Sequence, residues 1–479
     1  MKKIPAVLLA AVLLLLCLLS SASAVTVESA GELTSGEFRY RYRSDGTAVI
    51  TGYDGKSEEL IIPASLGEVP VTAIGSEAFK SNNALLYVTL PTAVEEIGDY
   101  AFFYCRNLSM INLPDSVRTV GRNPFAACEN LSVIEISDHH PYLSLQDGVL
   151  YSLPDQRLIA YSMLRPKGPY EVAEGTKIIG ASAFYICKTL TGLTLPESVT
   201  SIGKQAFYQC SQMKSINLPE GVSYLGDGAF NGCGALHSIV CPARVTQIGD
   251  SAFEDCSNLE EIILPEGATN IGNRAFFGCS SLTSIELPEG IDSIGQSTFE
   301  DCKSLQKIVL PEDVTYIGGN AFQNCFALEE INIPEEVSYI GTRAFCFCSS
   351  LRSLELPDTC LYIGASAFQS CSALEELILP WMLNTINPLT FAGCRSLTEL
   401  DLPPRITAIG DQAFLGCEQL TELDIPGKVT SIGDRAFFGC RSLESVSLPD
   451  SLTYVAANAF DGCANLTGLP DLSGLSVQE

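Results

Sequence analysis

Positive charge is scarce in this sequence: 28 lysines and arginines stand against 56 aspartates and glutamates. Such a balance repels nucleic acid and anionic membrane surfaces, so neither is an expected partner. Histidine is scarcer still, with only His139, His140 and His237. A metal site built on Asp138-His139-His140 would need ligands from elsewhere in the chain. The sequence contains no HExxH helix, no glycine-rich phosphate loop and no nucleophile elbow. Its carboxylates are plentiful but periodic, which describes a solvated face better than a catalytic pair in an apolar pocket. No catalytic residue, metal or cofactor is expected, and the chain is not read as an enzyme.

Long apolar runs are also missing, with one exception at the start. Lys2 and Lys3 precede an apolar run from Ala6 to Leu19, and Ala22-Ser23-Ala24 offers a cleavage site before Val25. Residues 1–24 read as a secretory signal peptide. A transmembrane anchor is the alternative, but the run is short and leads straight into small residues. Cys17 makes a poor lipoprotein site because bulky Leu16 precedes it. Removing Lys2 and Lys3 leaves 26 basic and 56 acidic side chains, a net charge of −30. No later stretch is long enough to span a bilayer, and the tail "LTGLPDLSGLSVQE" has neither a wall-sorting motif nor a hydrophobic anchor. A secreted or cell-surface location is expected, with no membrane insertion once the signal is removed.

What the sequence does have is repetition. A phenylalanine stands at 79, 102 and 125, then at 184 and every 23 residues through 460, sixteen in all. The unit "LTGLTLPESVTSIGKQAFYQCSQ", from Leu190, shows the full pattern. A fixed period in this range marks a solenoid whose neighbouring coils bury one another's apolar edges. "LTLP" alternates as a short strand should, and the proline ends it by withholding a donor. "VTSIG" reads as a second extended piece. Its glycine occurs in fourteen of sixteen copies, with Asn387 in one of the gaps, which predicts a left-handed turn there. "AF" should point inward and build an aromatic column along the axis.

The frame "LxxIxLPxxVtsIGxxAFxxC" resembles the BspA-like, Treponema pallidum-type leucine-rich repeat. The resemblance implies a β-rich solenoid, a right-handed coil of about sixteen 23-residue repeats with short parallel strands. "GEFRYRYRSDGTAVITGYDG", from Gly36, resembles that family's N-terminal hairpin, which would cover a strand edge otherwise open to aggregation. "HHPYLSLQDGVLYSLPDQRLIAY" resembles its inserted hairpin island. The expected organisation is a cap and lead-in at 25–70, a first repeat block at 71–137, the island at 138–172, a second block at 173–470 and a tail at 471–479. No comparable cap is visible at the C-terminal end.

Fifteen of nineteen cysteines lie three residues after the repeated phenylalanine, from Cys105 to Cys463, and Asn82 takes that place in the first copy. Exchange with asparagine points to a small buried group bonded to turn backbone, and other leucine-rich repeats use Asn or Cys ladders in this way. Disulfides are the rival reading in an exported chain. Strands about 4.7–4.9 Å apart are wider than a bridge wants, so pairing would need local pinching. Zinc needs four converging ligands, whereas a ladder spreads its sulfurs along a line. Cys241 and Cys360 occupy core positions. Cys346, just after the phenylalanine, is expected to be an exposed, reactive thiol.

Partners of solenoids are met by the side chains that vary. On the first strand the outward positions of later copies are acidic: Glu286, Glu330, Glu355, Glu376, Glu399, Asp401, Glu422 and Asp424. Solubility explains such a stripe, and so would recognition of a basic partner or loose calcium binding. The residue before the repeated isoleucine is tyrosine at 316, 339 and 362, which should stack as a ladder, with Trp381 close to Tyr362. Cross-coil packing accounts for tyrosines here, but aromatic anchors are also frequent binding hot spots. The expected protein is a monomeric, non-catalytic recognition or adhesion protein for an extracellular protein or glycan, as the resemblance implies. A self-assembling envelope spacer and a targeting module of a truncated carbohydrate-active enzyme are the alternatives.

Overall fold

A computed structural model describes residues 31–467. The proposed signal peptide, and residues 468–470 together with the tail 471–479, lie outside the described residues. Most coils contribute one strand of two or three residues and a second of two, and both pair in parallel with their equivalents 23 residues on. Ser353–Glu355 lies against Glu376–Ile378, and Tyr339–Ile340 against Tyr362–Ile363. Among the described residues there is no helix. The first strand shows an exposed–buried–exposed pattern, as in Glu376–Ile378, because one face meets the core and the other meets water.

The run around the phenylalanine forms a third ladder. Gln205, Phe207 and Gln209 donate their N–H groups to the carbonyls of Asp227, Ala229 and Asn231 in the next coil, at 2.7–2.8 Å, while Ala206, Tyr208 and Cys210 bond back within their own coil. Left-handed residues flip alternate peptides to make this possible: φ is +54° at Gln205 and +57° at Gln209. A side chain in that region costs about 1–2 kcal/mol, and the cross-coil bonds offset it.

The left-handed turn is therefore not at the repeated glycine, contrary to the expectation from sequence. None of the fourteen has a positive φ. They are glycines because consecutive coils nearly touch there: a Cβ on Gly203 would stand 2.5 Å from the Ala181 nitrogen, and one on Gly226 2.4 Å from that of Lys204. Where Asn387 takes the place, its Nδ2 donates to the Ile363 carbonyl at 2.6 Å.

The phenylalanines stack as a spine, with centroids 5.3 Å apart for Phe230–Phe253 and 5.4 Å for Phe345–Phe368. Tyr53 continues the stack beyond Phe79, and Tyr161 precedes Phe184. These two tyrosines raise the number of turns from the sixteen counted by phenylalanine to about 18. Each closes a hairpin. In the cap, Leu33–Ser35, Phe38–Tyr42 and Ala48–Tyr53 run antiparallel, and the last then pairs in parallel with Val69–Ile74. In the island, Leu143–Gln146, Val149–Ser152 and Arg157–Tyr161 do the same, ending in parallel pairing with Ile178–Ile179.

The spine breaks at the island. Both sheets of the first block end at Thr119–Val120 and Val133–Glu135, and new ones begin beyond. The buried side chains accordingly form two clusters. A cavity of about 50 Å³, lined by Phe125, Cys128 and Tyr161, marks the gap. Polar contacts bridge it: Asn123 Nδ2 donates to the Ser182 carbonyl at 2.7 Å, and Arg157 Nη2 to that of Val120 at 2.9 Å.

Candidate functional site

The cysteine ladder belongs to the interior. Each ladder Sγ from Cys210 on donates to the phenylalanine carbonyl 26 residues earlier, at 3.1 Å for Cys210 and 3.2 Å for Cys233. Asn82 plays the same part through its Nδ2, donating to the Gly55 carbonyl at 3.0 Å. Burial pushes most of the ladder thiols up, to about 12 for Cys105 and Cys417, whereas contact with Cys440 lowers that of half-buried Cys463. Cys346 corrects the sequence expectation: it is buried, 2 % exposed, with its thiol 4.0 Å from Gln369 Oε1, and burial raises it to about 11. Gln323 and Gln369 hold the same place in the coils on either side, and the longer Gln369 lies against the thiol. The outward residue is its neighbour Phe347, at φ +64°.

His140 is structural too. Its Nδ1 accepts the N–H groups of Tyr142 and Leu143, which leaves Nε2 to donate to the Pro114 carbonyl at 3.0 Å.

The acidic row stands on the longer strands, with Glu399 and Asp401 in the equivalent place of a coil that forms no such strand. Glu330, Glu355, Glu376, Glu399 and Asp401 are all exposed. Only Glu330 among these has a cation, Lys307 at 2.6 Å, whose ammonium holds its carboxyl below the usual range. Over the coils of Ile331 to Ile378 this face sinks into a groove of about 650 Å³ lined by Glu335, Glu355, Asp358 and Glu376 with Asn332 and Ser353. None of the four carboxylates forms an ion pair among the described residues.

The tyrosines lie on the other sheet. Tyr316, Tyr339 and Tyr362 stack with centroids 4.9 Å apart and planes 9–10° off parallel. Burial between its neighbours raises the Tyr339 hydroxyl above its ordinary value. Because stacked rings cover one another's faces, the row offers solvent its edges and a line of hydroxyls. Leu361, 56 % exposed beside Tyr362, extends the apolar surface, and no feature of the repeat pattern singles it out.

Trp381 keeps company with the carboxylates. It sits in the turn between the two sheets, half-exposed, and its backbone N–H donates to Asp358 Oδ1 at 3.2 Å. Its ring faces the Arg405 guanidinium at 5.3 Å, whereas Tyr362 stacks on Tyr339. The expected neighbourhood of Trp381 with Tyr362 thus gives way to a place at the rim of the acidic groove. The reason is that proline turns the chain before the second sheet begins.

The family model described as the BspA type leucine rich repeat region matches residues 56–150, 177–280, 225–352, 269–396 and 340–467. Among solved structures, a leucine-rich repeat protein from Bacteroides ovatus is 28 % identical, over 91 % of this chain and 93 % of that one, with a TM-score of 0.40. A leucine rich cell surface protein from Faecalibacterium prausnitzii is 24 % identical over 92 % and 94 %, with a TM-score of 0.34. The T. pallidum leucine rich repeat protein is 27 % identical over 52 % and 90 %, with a TM-score of 0.25. No curated protein matches the chain. No helix among the described residues is long and apolar enough to cross a membrane.

Proposed function

Because the chain belongs to the BspA-type leucine-rich repeat family, we propose that it is an exported, non-catalytic recognition protein that captures an extracellular protein through a basic, extended segment. The observation that carries this reading is the groove of four carboxylates without ion pairs, with an exposed indole at its rim. A row of like charges repels itself across coils, and a cationic guest relieves that repulsion. Trp381 already holds the guanidinium of Arg405, which is the cation–π contact an incoming arginine or lysine would use. The tyrosine edges and Leu361 form a separate apolar strip that supplies further contact. Adhesion at a cell surface, the role the family resemblance implies, fits such a long row of varied side chains.

Capture from extracellular extracts, followed by titration of the captured protein, tests this. Trp381→Ala is expected to weaken binding about 30-fold, as loss of a hot-spot anchor worth about 2 kcal/mol does. Glu355→Gln with Glu376→Gln should weaken it further and flatten its salt dependence, and Tyr339→Ala should act less strongly. Equal capture by all these variants would contradict the assignment.

A further inference from the structure

Val133–Glu135 closes the first sheet of the first block: it pairs with Met110–Asn112 on one side and with no described strand on the other. Val133 donates its N–H to the Ser109 carbonyl, and the Glu135 carbonyl accepts from Leu113. Ile134, between them, therefore turns its N–H and carbonyl away from that partner. Its equivalent in the second block is Leu193, and that of Ile136 is Leu195. Those two donate forward, to the Ser215 carbonyl at 3.1 Å and to Asn217 Oδ1 at 2.8 Å. The N–H groups of Ile134 and Ile136 have no such partner among the described residues. The strand beyond the island, Gly168–Glu171, does not supply one. Its Pro169 stands where Met110 and Val133 donate to the coil before, and proline has no N–H to give. A half-open cavity adjoins this edge. The coil of the edge lines it with Phe125, Cys128, Leu131 and Ile134, and the island with Leu145 and Ala160. Benzene needs a cavity of roughly 150 Å³. This one holds about 50 Å³, room for an alanine or valine side chain but not for a ring.

We infer that this edge takes up an extended segment of a partner protein as an added parallel strand, with an alanine or valine side chain in the cavity. N–H and C=O groups left open at strand spacing are met in full by another strand, which is how sheet edges capture peptides. The strands of this sheet all pair in parallel, and the guest continues that order. Its residue before the valine donates to the Ser132 carbonyl and accepts from the Ile134 N–H. Its residue after the valine donates to the Ile134 carbonyl and accepts from the Ile136 N–H. Val133 and Glu135 engage the preceding coil in the same way. Side chains alternate along a strand, so the valine between these two residues points inward, as Ile134 does. The inference goes beyond the recognition reading. It concerns another block of the solenoid and a contact made by backbone rather than charge, so either can fail without the other.

The probe is the uncharged peptide acetyl-Ser-Thr-Thr-Val-Thr-Thr-Ser-amide, which the acidic groove does not attract. Titration calorimetry and hydrogen exchange on the purified full chain read its binding. It is expected to bind with a Kd below about 1 mM and to protect the amides of Ile134 and Ile136, which exchange freely without it. Glycine in place of the valine should weaken binding about 10-fold, because a buried side chain is lost. N-methylation of the two threonines that flank the valine should abolish binding, since each then lacks the N–H it donates. N-methylation of the valine, whose N–H points away from the edge, should leave it unchanged. Leu145→Phe, with folding confirmed by circular dichroism, fills the cavity and should weaken binding of the valine peptide about 10-fold. No binding of the valine peptide, binding indifferent to methylation of the threonines, or amides of Ile134 and Ile136 already protected in the free chain would overturn the inference. Protection that grows with protein concentration alone would give the edge to a second copy and overturn it as well.

Discussion

Replacing Gly226 by alanine would place a methyl group 2.4 Å from the Lys204 nitrogen, a backbone atom that cannot step aside. Overpacking of this kind against backbone is expected to cost about 3 kcal/mol or more. Gly416, by contrast, has φ +70° and open space where a methyl group would stand, with no atom within 4 Å. Gly416→Ala should therefore cost only about 1–2 kcal/mol, the penalty of the left-handed backbone. Urea unfolding of the two variants separates close coil contact from backbone handedness as the cause of the repeat's glycines. The recurrence of these residues is plain in the sequence, but its cause is not, because the atoms a Cβ would strike belong to the preceding coil. The surroundings of Cys346 and Trp381 are hidden for the same reason. The glutamine against the one and the arginine that faces the other lie 23 and 24 residues away, in positions a single repeat does not show.

At the scale of elements, the strands and the inward aromatic column can be read from spacing, since each recurs with the phenylalanine, but the place of the left-handed residues cannot. The two hairpins are recognisable, but the joining of their last strands to the ladders is not, because Tyr53 and Tyr161 fall outside the phenylalanine pattern. The cysteine ladder makes a measurable demand on pH. The buried thiols before Cys463 are held above their ordinary range when folded, at about 12 for Cys105 and Cys417, while in the unfolded chain they return to about 8.5. Above that pH the unfolded state binds fewer protons than the folded one, so stability falls as pH rises. The contribution is complete below about pH 8.5 and is lost through the window up to the folded values, at up to about 1.4 kcal/mol per pH unit for each thiol. Denaturant midpoints should be flat from about pH 7 to 8 and drop steeply from about 9 to 11. Replacing Cys233, Cys256 and Cys279 by serine should make that drop shallower.

For the whole molecule, register is what makes an exterior row meaningful. Coils stacked at a constant rise put like residues in line, so that variation in the sequence becomes a pattern in space: carboxylates on one sheet, tyrosine edges on the other, an indole between them. The rows are legible from the repeat, but the separation of the two aromatic features is not, because a linear repeat does not reveal which side of the proline turn a residue will face. The island interrupts this order and leaves two cores, bridged by a few polar bonds and by island strands that send alternate side chains into each. The most direct measurement is anomalous scattering from sulfur in crystals of the protein. Fifteen ladder sulfurs should appear along the solenoid, one per coil, about 5 Å apart, with a single gap between Cys128 and Cys187 where the island enters. Ladder sulfurs paired at the roughly 2.05 Å of a disulfide, or scattered off a common line, would contradict the account.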